Sequence, residues 1–186
     1  MGAADAAFWD YSLALYGQPG VAEACLALQD RLDLDVNLLL FCCWAGQRGR
    51  SLTSAEIAGL RAASRDWQVH VVRPLRQARR WLKNRDLGLG DAPEILRREI
   101  KAQELEAERL EQDLLGQALP VGAAAPSPPA AVDNLALYLA QQGVEAAAED
   151  EGYLMILLRG AFPHSTAGEM DALARRLLHR GGHAER

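Results

Sequence analysis

The sequence is poor in the residues that favour β-strands. Aromatic residues make up 6% of the chain, β-branched residues are scarce, and alanine, leucine, arginine and glutamate dominate, so the composition favours helix over strand. The longest apolar run, Leu38 to Ala45, is far shorter than the about 20 residues that cross a bilayer. We therefore expect a helical protein without a membrane span.

Cysteines and targeting signals are also few. The chain has three cysteines, and Cys42 and Cys43 are adjacent in the apolar run, where neighbouring helical side chains point about 100° apart and an ordinary disulfide between them is not expected. Residues 1–16 contain acids but no basic segment, which is unlike a secretory leader. These features predict a cytoplasmic protein with reduced, buried thiols.

Positive charge is not in excess, because the net charge is −5. A field of this sign does not draw the chain to nucleic acid or anionic lipid, so nucleic acid is a disfavoured partner. The sequence has no phosphate-binding loop, no dinucleotide-binding glycine motif, no nucleophile elbow and no paired Cys-x-x-Cys motif. We predict no cofactor and no bound metal.

The most informative stretch that is present is the apolar run itself. Residues 36–45 read as a helix that is apolar on every face, and such a helix must be covered on every face by other helices. Asp35 is placed to cap its first turn, and Gly46 is expected to end it. The predicted fold is therefore an all-α helical bundle around a buried central helix at about residues 36–45.

Further signals divide the chain into three parts. Residues 1–118 are predicted to form the bundle, in which Thr53 and Glu56 match a capping box and Pro74 interrupts a long helix. Residues 119–132, rich in proline and alanine, are predicted to be a linker. Residues 133–186 are predicted to form C-terminal helices, docked on the bundle or folded as a small subdomain. Residues 153–160 alone fit helix or strand, and their helical context favours helix.

Two consecutive segments carry opposite charge. Residues 71–85 contain six basic residues and no acid, and the helix that follows Asp91 is mostly acidic. In that second helix, positions at alternating spacings of four and three resemble the seam of a coiled coil: Leu96, Ile100, Gln103, Ala107, Leu110 and Leu114. We predict an antiparallel, charged helical hairpin with its acids on the surface. Because such a seam pairs within or between chains, the sequence leaves the oligomeric state open.

The leading functional hypothesis is a non-enzymatic interaction protein, an adaptor or regulator with a protein partner. Spacings of three and four place four basic residues on one helical face, where they could bind an acidic partner. These residues are Arg73, Arg76, Arg80 and Lys83. The aromatic first helix is a second candidate surface, provided that Trp9 or Tyr16 stays partly exposed. The acidic helix competes for the same arginines within the chain.

The alternative hypothesis is a helical enzyme or a carrier of a small ligand or metal-diphosphate. Its candidate pocket combines Asp10, Asp30, Asp33, Asn37 and Arg48. Asp30 and Asp33 share a face if both are helical, as an Mg²⁺-diphosphate site requires. Such a site needs a second acidic cluster opposite, and the only other acid-rich segment, residues 94–113, is expected to present its acids to solvent.

Several segments of the chain resemble an uncharacterised family of small bacterial proteins. They are Phe8-Trp9-Asp10, Tyr16 to Val21, Cys25 to Gly46, Arg73 to Arg76 and the Glu-rich helix from Lys101 to Glu111. The resemblance covers about residues 8–115, and the final third of the chain is more generic. It implies a helical, cytoplasmic bacterial protein and assigns no catalytic residue.

Overall fold

The computed structural model describes residues 3–83, 87–144 and 146–181, and this part of the chain contains helices and no strand. The α-helices are α1 (Ala3–Tyr16), α2 (Val21–Leu32), α3 (Val36–Gln47), α4 (Ser54–Trp67), α5 (Arg73–Leu82), α6 (Ala92–Ala118), α7 (Pro128–Gln142), α8 (Ala148–Ala161) and α9 (Ala167–Gly181), and a π-helical segment (Gln68–Val72) joins α4 to α5. The predicted all-α fold is confirmed. None of these helices has both the length and the apolar character that a bilayer crossing needs. Arg85, the last of the six basic residues in the segment 71–85, lies outside the described residues.

Helix α3 is the centre of the bundle, as predicted. Asp35 caps it by accepting a hydrogen bond from the Asn37 N–H at 2.9 Å, and every residue from Asn37 to Gly46 is buried. Helices α1, α2, α6, α7 and α8 all pack against it. The rings of Phe41 and Trp44 meet Phe8 of α1 at centroid distances of 5.2 and 4.9 Å, so aromatic contacts fix the first helix to the central one.

The predicted end of α3 is corrected by the structure. The helix continues through Gly46 to Gln47, and an added Cβ on Gly46 would stand 2.5 Å from the Cβ of Ala131. The glycine therefore serves the close approach of α7 and does not terminate α3. The Gly46 carbonyl also accepts a hydrogen bond from the Ser127 N–H at 2.8 Å, which ties the start of α7 to the same place.

The predicted linker is shorter than residues 119–132. Helix α7 begins at Pro128, with Ser127 as its N-cap, because proline is well suited to the first helical turn, where no N–H is needed. Two of the alanines that suggested an extended linker, Ala130 and Ala131, instead lie on the buried face of α7 and are almost inaccessible. Small side chains let α7 lie close against α3.

The C-terminal helices pack on the rest of the molecule. Helix α7 makes its most extensive contact with α3, α8 packs on α2, and α9 packs on α7 and α8. One hydrophobic core consequently runs from Phe8 to Leu177. Arg176 of α9 donates to Asp133 of α7 at 2.7 Å. The apolar run at residues 153–160 lies within α8, a helix.

Helix α4 begins with the predicted capping box, in which Thr53 Oγ1 accepts from the Glu56 N–H and the Glu56 carboxylate accepts from the Thr53 N–H. The predicted interruption near Pro74 takes the form of the π-helical segment. The Arg73 N–H bonds to the Gln68 carbonyl, five residues back. A wide turn of this kind leaves room for a proline ring that would clash in a regular α-helix.

Helices α5 and α6 form the predicted charged hairpin, but the buried face of α6 differs from the prediction. Ala107 of the expected seam is buried, whereas Leu96, Leu110 and Leu114 are exposed. The face turned inward instead carries Glu104, Glu111, Gln112 and Leu115. The acids lie inside because buried arginine and amide side chains meet them there, a pairing that leucine spacing does not reveal.

Candidate functional site

Members of the two rival sets of predicted site residues meet in one place. Asp33 accepts from Arg73 Nη2 at 3.0 Å, and Asp30 forms an ion pair with Arg80. All four line one cleft of about 410 Å³, together with Arg76. Two arginines of the predicted basic stripe, Arg73 and Arg80, are therefore the counterions of the predicted acidic pair. These pairs are substantially exposed, so each contributes only about 0–1 kcal/mol to stability.

The predicted shared face of Asp30 and Asp33 is wrong. Helix α2 ends at Leu32, and Asp33 follows it in the left-handed conformation with φ of 51°. The other residues of the alternative pocket are dispersed. Asp10 is exposed on α1, the Arg48 guanidinium lies 5.6 Å from the centre of the Trp44 ring, and Asn37 is buried at the start of α3.

Arg76 is the one member of the stripe that lies deep in the fold. Its side chain is 14% exposed and bridges Glu104 and Glu108 of α6 at 3.0 and 2.8 Å, and Arg79 also pairs with Glu104. Burial raises the pKa of Glu108. Burial acts the same way on Glu104, but the hydrogen bonds from Arg79 and Arg76 outweigh it and hold the pKa of that carboxyl below its ordinary value. This buried cluster locks α5 to α6.

A second buried group joins Asp35 to Glu111 of α6. Glu111 Oε2 accepts hydrogen bonds from Asn37 Nδ2 and Gln68 Nε2, both at 2.8 Å, while Oε1 has no donor directed at it. Burial first, and the neighbouring Asp35 charge second, raise the pKa of Glu111 far above its ordinary value. Burial also raises the pKa of Asp35. Because burial and the Asp35 charge both raise the pKa of Glu111, this carboxyl favours its protonated form.

The network continues on both sides of this carboxyl pair. Gln112 Nε2 donates to Asn37 Oδ1 at 2.8 Å, and the Asp35 N–H donates to the Tyr138 hydroxyl of α7 at 2.9 Å. Sequence reasoning identified Asp35 only as a cap and missed Gln68, Glu111, Gln112 and Tyr138. Two signals were available: the single polar Asn37 inside an apolar helix, and the spacing of Glu104, Glu108 and Glu111 on one face of α6.

A groove of about 600 Å³ is open to solvent and bounded by α1, α2, α3, α5 and α6. Its walls are mainly apolar, and the aromatic residues of α1 take part, because Trp9 and Tyr16 are half-buried there. Leu13, Leu26 and Leu105 line the groove and are 44–51% exposed. The first helix thus presents the partly exposed aromatic surface that the sequence hypothesis required.

Two polar atoms in the wall of the groove have no hydrogen-bond partner. They are the hydroxyl of Ser12 and Oε1 of Gln112, and both residues are 3% exposed. An unsatisfied buried polar group costs about 1–3 kcal/mol. Such groups often mark a place where a bound molecule or an ordered water completes the structure. In the described ranges, 3–83, 87–144 and 146–181, no group of three or more His, Cys, Asp or Glu side chains is placed to hold a metal ion.

The chain was also compared with known proteins. Residues 7–115 match the family model described as a protein of unknown function, DUF2390. All the residues that line the groove lie within this segment. No curated protein and no solved structure matches the chain.

Proposed function

This chain belongs to DUF2390, a family of proteins of unknown function, and we propose that it is a non-enzymatic interaction protein, an adaptor or regulator that binds a partner protein. The observation that carries the proposal is a group of large apolar side chains exposed at the end of the charged hairpin, where α5 stops and α6 begins. We call this group the hairpin tip: Trp81, Leu87, Leu89, Ile95 and Leu96.

The hairpin tip is unusual for the surface of a soluble domain. Its five side chains are between 40% and 64% exposed and fall within sixteen consecutive positions of the sequence. Single exposed leucines are ordinary, whereas large apolar residues grouped on one surface mark interaction sites. A partner protein that covers the tip would remove this apolar area from water.

The charge near the tip supports an acidic partner. Arg73, Arg76 and Arg80 are engaged by acids of the same chain. Lys83, the last residue of the predicted stripe, is exposed beside the tip and forms no ion pair with any residue that the structure describes. The basic surface available to a partner is therefore the end of the stripe and not its middle.

We propose that the protein works in the bacterial cytoplasm. Cys25, Cys42 and Cys43 are free and buried, which fits a compartment that keeps thiols reduced. The resemblance to small bacterial proteins supports the same proposal.

The test compares two double variants that each replace exposed apolar residues by aspartate. Leu89→Asp with Ile95→Asp alters the hairpin tip, and Leu13→Asp with Leu26→Asp alters the groove as the matched control. Proteins captured from an extract of the source cells by the immobilised wild type are identified, and the partner is then purified and titrated. We expect the tip variant to weaken the Kd of that partner at least tenfold and the groove variant to retain it.

Two results would contradict the proposal. One is a purified partner that binds the tip variant as tightly as the wild type. The other is equal loss of binding in both variants while circular dichroism shows both folded, because binding would then not depend on the tip.

A further inference from the structure

The groove has an apolar body and a cationic end. Its α6 wall runs from Arg98 to Gln112, and fourteen helical steps span about 20 Å. Leu105 lies midway, and Leu13, Leu26 and Leu40 stand on the other walls. Arg98 and Lys101 both lie at the same end of this α6 wall. The groove is thus long and mostly apolar, with positive charge concentrated at one end.

The two cations at that end are not held in ion pairs. Arg98 and Lys101 are exposed and form no ion pair with any residue in the described ranges. The two other cations of the lining, Arg76 and Arg79, are bound by Glu104 and Glu108. Four cations and two carboxyls line the groove, although the whole chain carries a net charge of −5. An anion is therefore favoured at this end.

We propose that the groove binds a single-chain anionic amphiphile, a carboxylate or phosphate monoester with a long alkyl chain. Its head group contacts Arg98 and Lys101, and its chain lies along Leu105, Leu26 and Leu13. A volume of about 600 Å³ falls in the range of small-molecule sites, which are typically apolar with a few placed polar groups. This ligand is independent of the partner protein at the hairpin tip.

The wall of the groove gives a second reason to expect an occupant. Ser12 and Gln112 are each 97% buried, and each leaves a polar atom without a hydrogen-bond partner. Both belong to the lining. A core that is complete without a ligand satisfies nearly all such atoms, so the hydrogen bonding of this wall is incomplete in the protein alone.

Dodecanoate and dodecyltrimethylammonium are the probes, used below their micelle concentrations in calorimetric titrations. We expect dodecanoate to bind saturably at one site and at least tenfold more tightly than the cationic amphiphile. Octanoate should bind more weakly than dodecanoate, because a shorter chain covers less of the apolar wall. Equal affinity for the two head groups, or no dependence on chain length, overturns the proposal.

Charge-reversal variants locate the site. Arg98→Glu with Lys101→Glu should raise the Kd of dodecanoate at least tenfold. Arg159→Glu with Arg175→Glu, on the exposed surfaces of α8 and α9, makes the same change in net charge away from the groove and should leave the Kd within twofold. A similar loss in both variants would mean that only the overall charge matters, and it would contradict the assignment.

A third variant tests the apolar part of the site, and a vesicle assay tests whether the ligand comes from solution or from a membrane. Leu26→Asp with Leu105→Asp should abolish dodecanoate binding while the thermal melt stays cooperative, since both side chains are about half exposed. Sedimentation with phosphatidylglycerol vesicles asks whether the ligand is taken from a membrane. If the protein pellets with vesicles but does not bind monomeric dodecanoate, the groove is not a site for single-chain amphiphiles.

Discussion

At the scale of single residues, the protonated Glu111 carboxyl is the feature with the clearest consequence. Burial and the Asp35 charge raise its pKa, so the folded protein keeps a proton that the unfolded chain releases above the ordinary pKa of glutamate. The unfolded state then binds fewer protons, and stability falls as pH rises. The raised pKa values of Asp35 and Glu108 act in the same direction.

Replacement of Glu111 by glutamine should remove part of this pH dependence. The amide keeps a donor for Asp35 and an acceptor for Gln68 without any proton to lose. Between pH 5 and pH 8 the wild type should lose up to about 1.4 kcal/mol of unfolding free energy per pH unit to this group. Urea titrations should show a flatter dependence in Glu111→Gln, and the exposed control Glu99→Gln should follow the wild type. If the free energies of unfolding of the wild type and of Glu111→Gln depend on pH in the same way, a group other than Glu111 holds the proton.

Two arginines of the same predicted stripe should differ sharply when truncated. Arg76 is nearly buried between Glu104 and Glu108, and its removal takes the ion-pair partner from Glu108 and leaves Glu104 with Arg79 alone. Breaking a buried ion pair costs about 3–5 kcal/mol. Arg80 pairs with Asp30 at the surface, where loss costs about 0–1 kcal/mol. Chemical unfolding of Arg76→Ala and Arg80→Ala measures both values. Equal effects would show that the buried cluster has no special role.

At the scale of secondary-structure elements, the contact between α3 and α7 depends on Gly46. A methyl group there meets Ala131 at 2.5 Å, so Gly46→Ala should destabilise the protein by about 1–3 kcal/mol through overpacking. Gly59 is also helical, and an added Cβ there meets nothing within 4 Å. Gly59→Ala should therefore stabilise the fold by about 0.5–1 kcal/mol. Thermal melts of the two variants should shift in opposite directions, and a shift of the same sign would refute the contact.

The elements also show where sequence reasoning succeeds and where it stops. Strong local signals were correct, including the Asp35 cap, the Thr53–Glu56 capping box and the burial of α3. The prediction of which face of α6 is buried was wrong. Leucine periodicity suggests a seam, but it does not show that Arg76 and Arg79 neutralise glutamates inside the fold. The prediction that Gly46 ends α3 was wrong for a similar reason, since a glycine at a helix end and a glycine at a close helix contact look alike in the sequence.

For the candidate sites as well, the sequence identified residues but not the contacts between distant helices. The sequence identified Arg73, Arg80, Asp30 and Asp33 as charged residues of interest but could not show that they pair with each other, because their separation along the chain hides the contact. Trp9 and Tyr16, named as a surface on condition of exposure, are half-buried in the groove wall, and their role in binding stays a prediction. The groove and the Asp35–Glu111 pair combine residues from several helices, and only the packing of those helices creates them.

At the scale of the whole molecule, the segment that matches the family model does not contain all the helices that cover α3. Residues 7–115 match, yet the most extensive neighbour of α3 is α7, residues 128–142. A fragment of residues 1–118 should therefore expose the apolar side of α3 and lose its cooperative thermal transition, and addition of residues 119–181 as a separate peptide should restore it. A fragment that melts like the full chain would show that the first part folds alone.

Because the three cysteines are buried, their reaction with a thiol reagent reports when the helices around them open. Cys25, Cys42 and Cys43 are at most 1% exposed, and burial raises the pKa of Cys25 to about 12, so the closed protein offers a thiol reagent neither access nor thiolate. Alkylation then counts the molecules that transiently open. Because Cys25 is in α2 and the other two are in α3, the order in which they are labelled would reveal which helix leaves the core first.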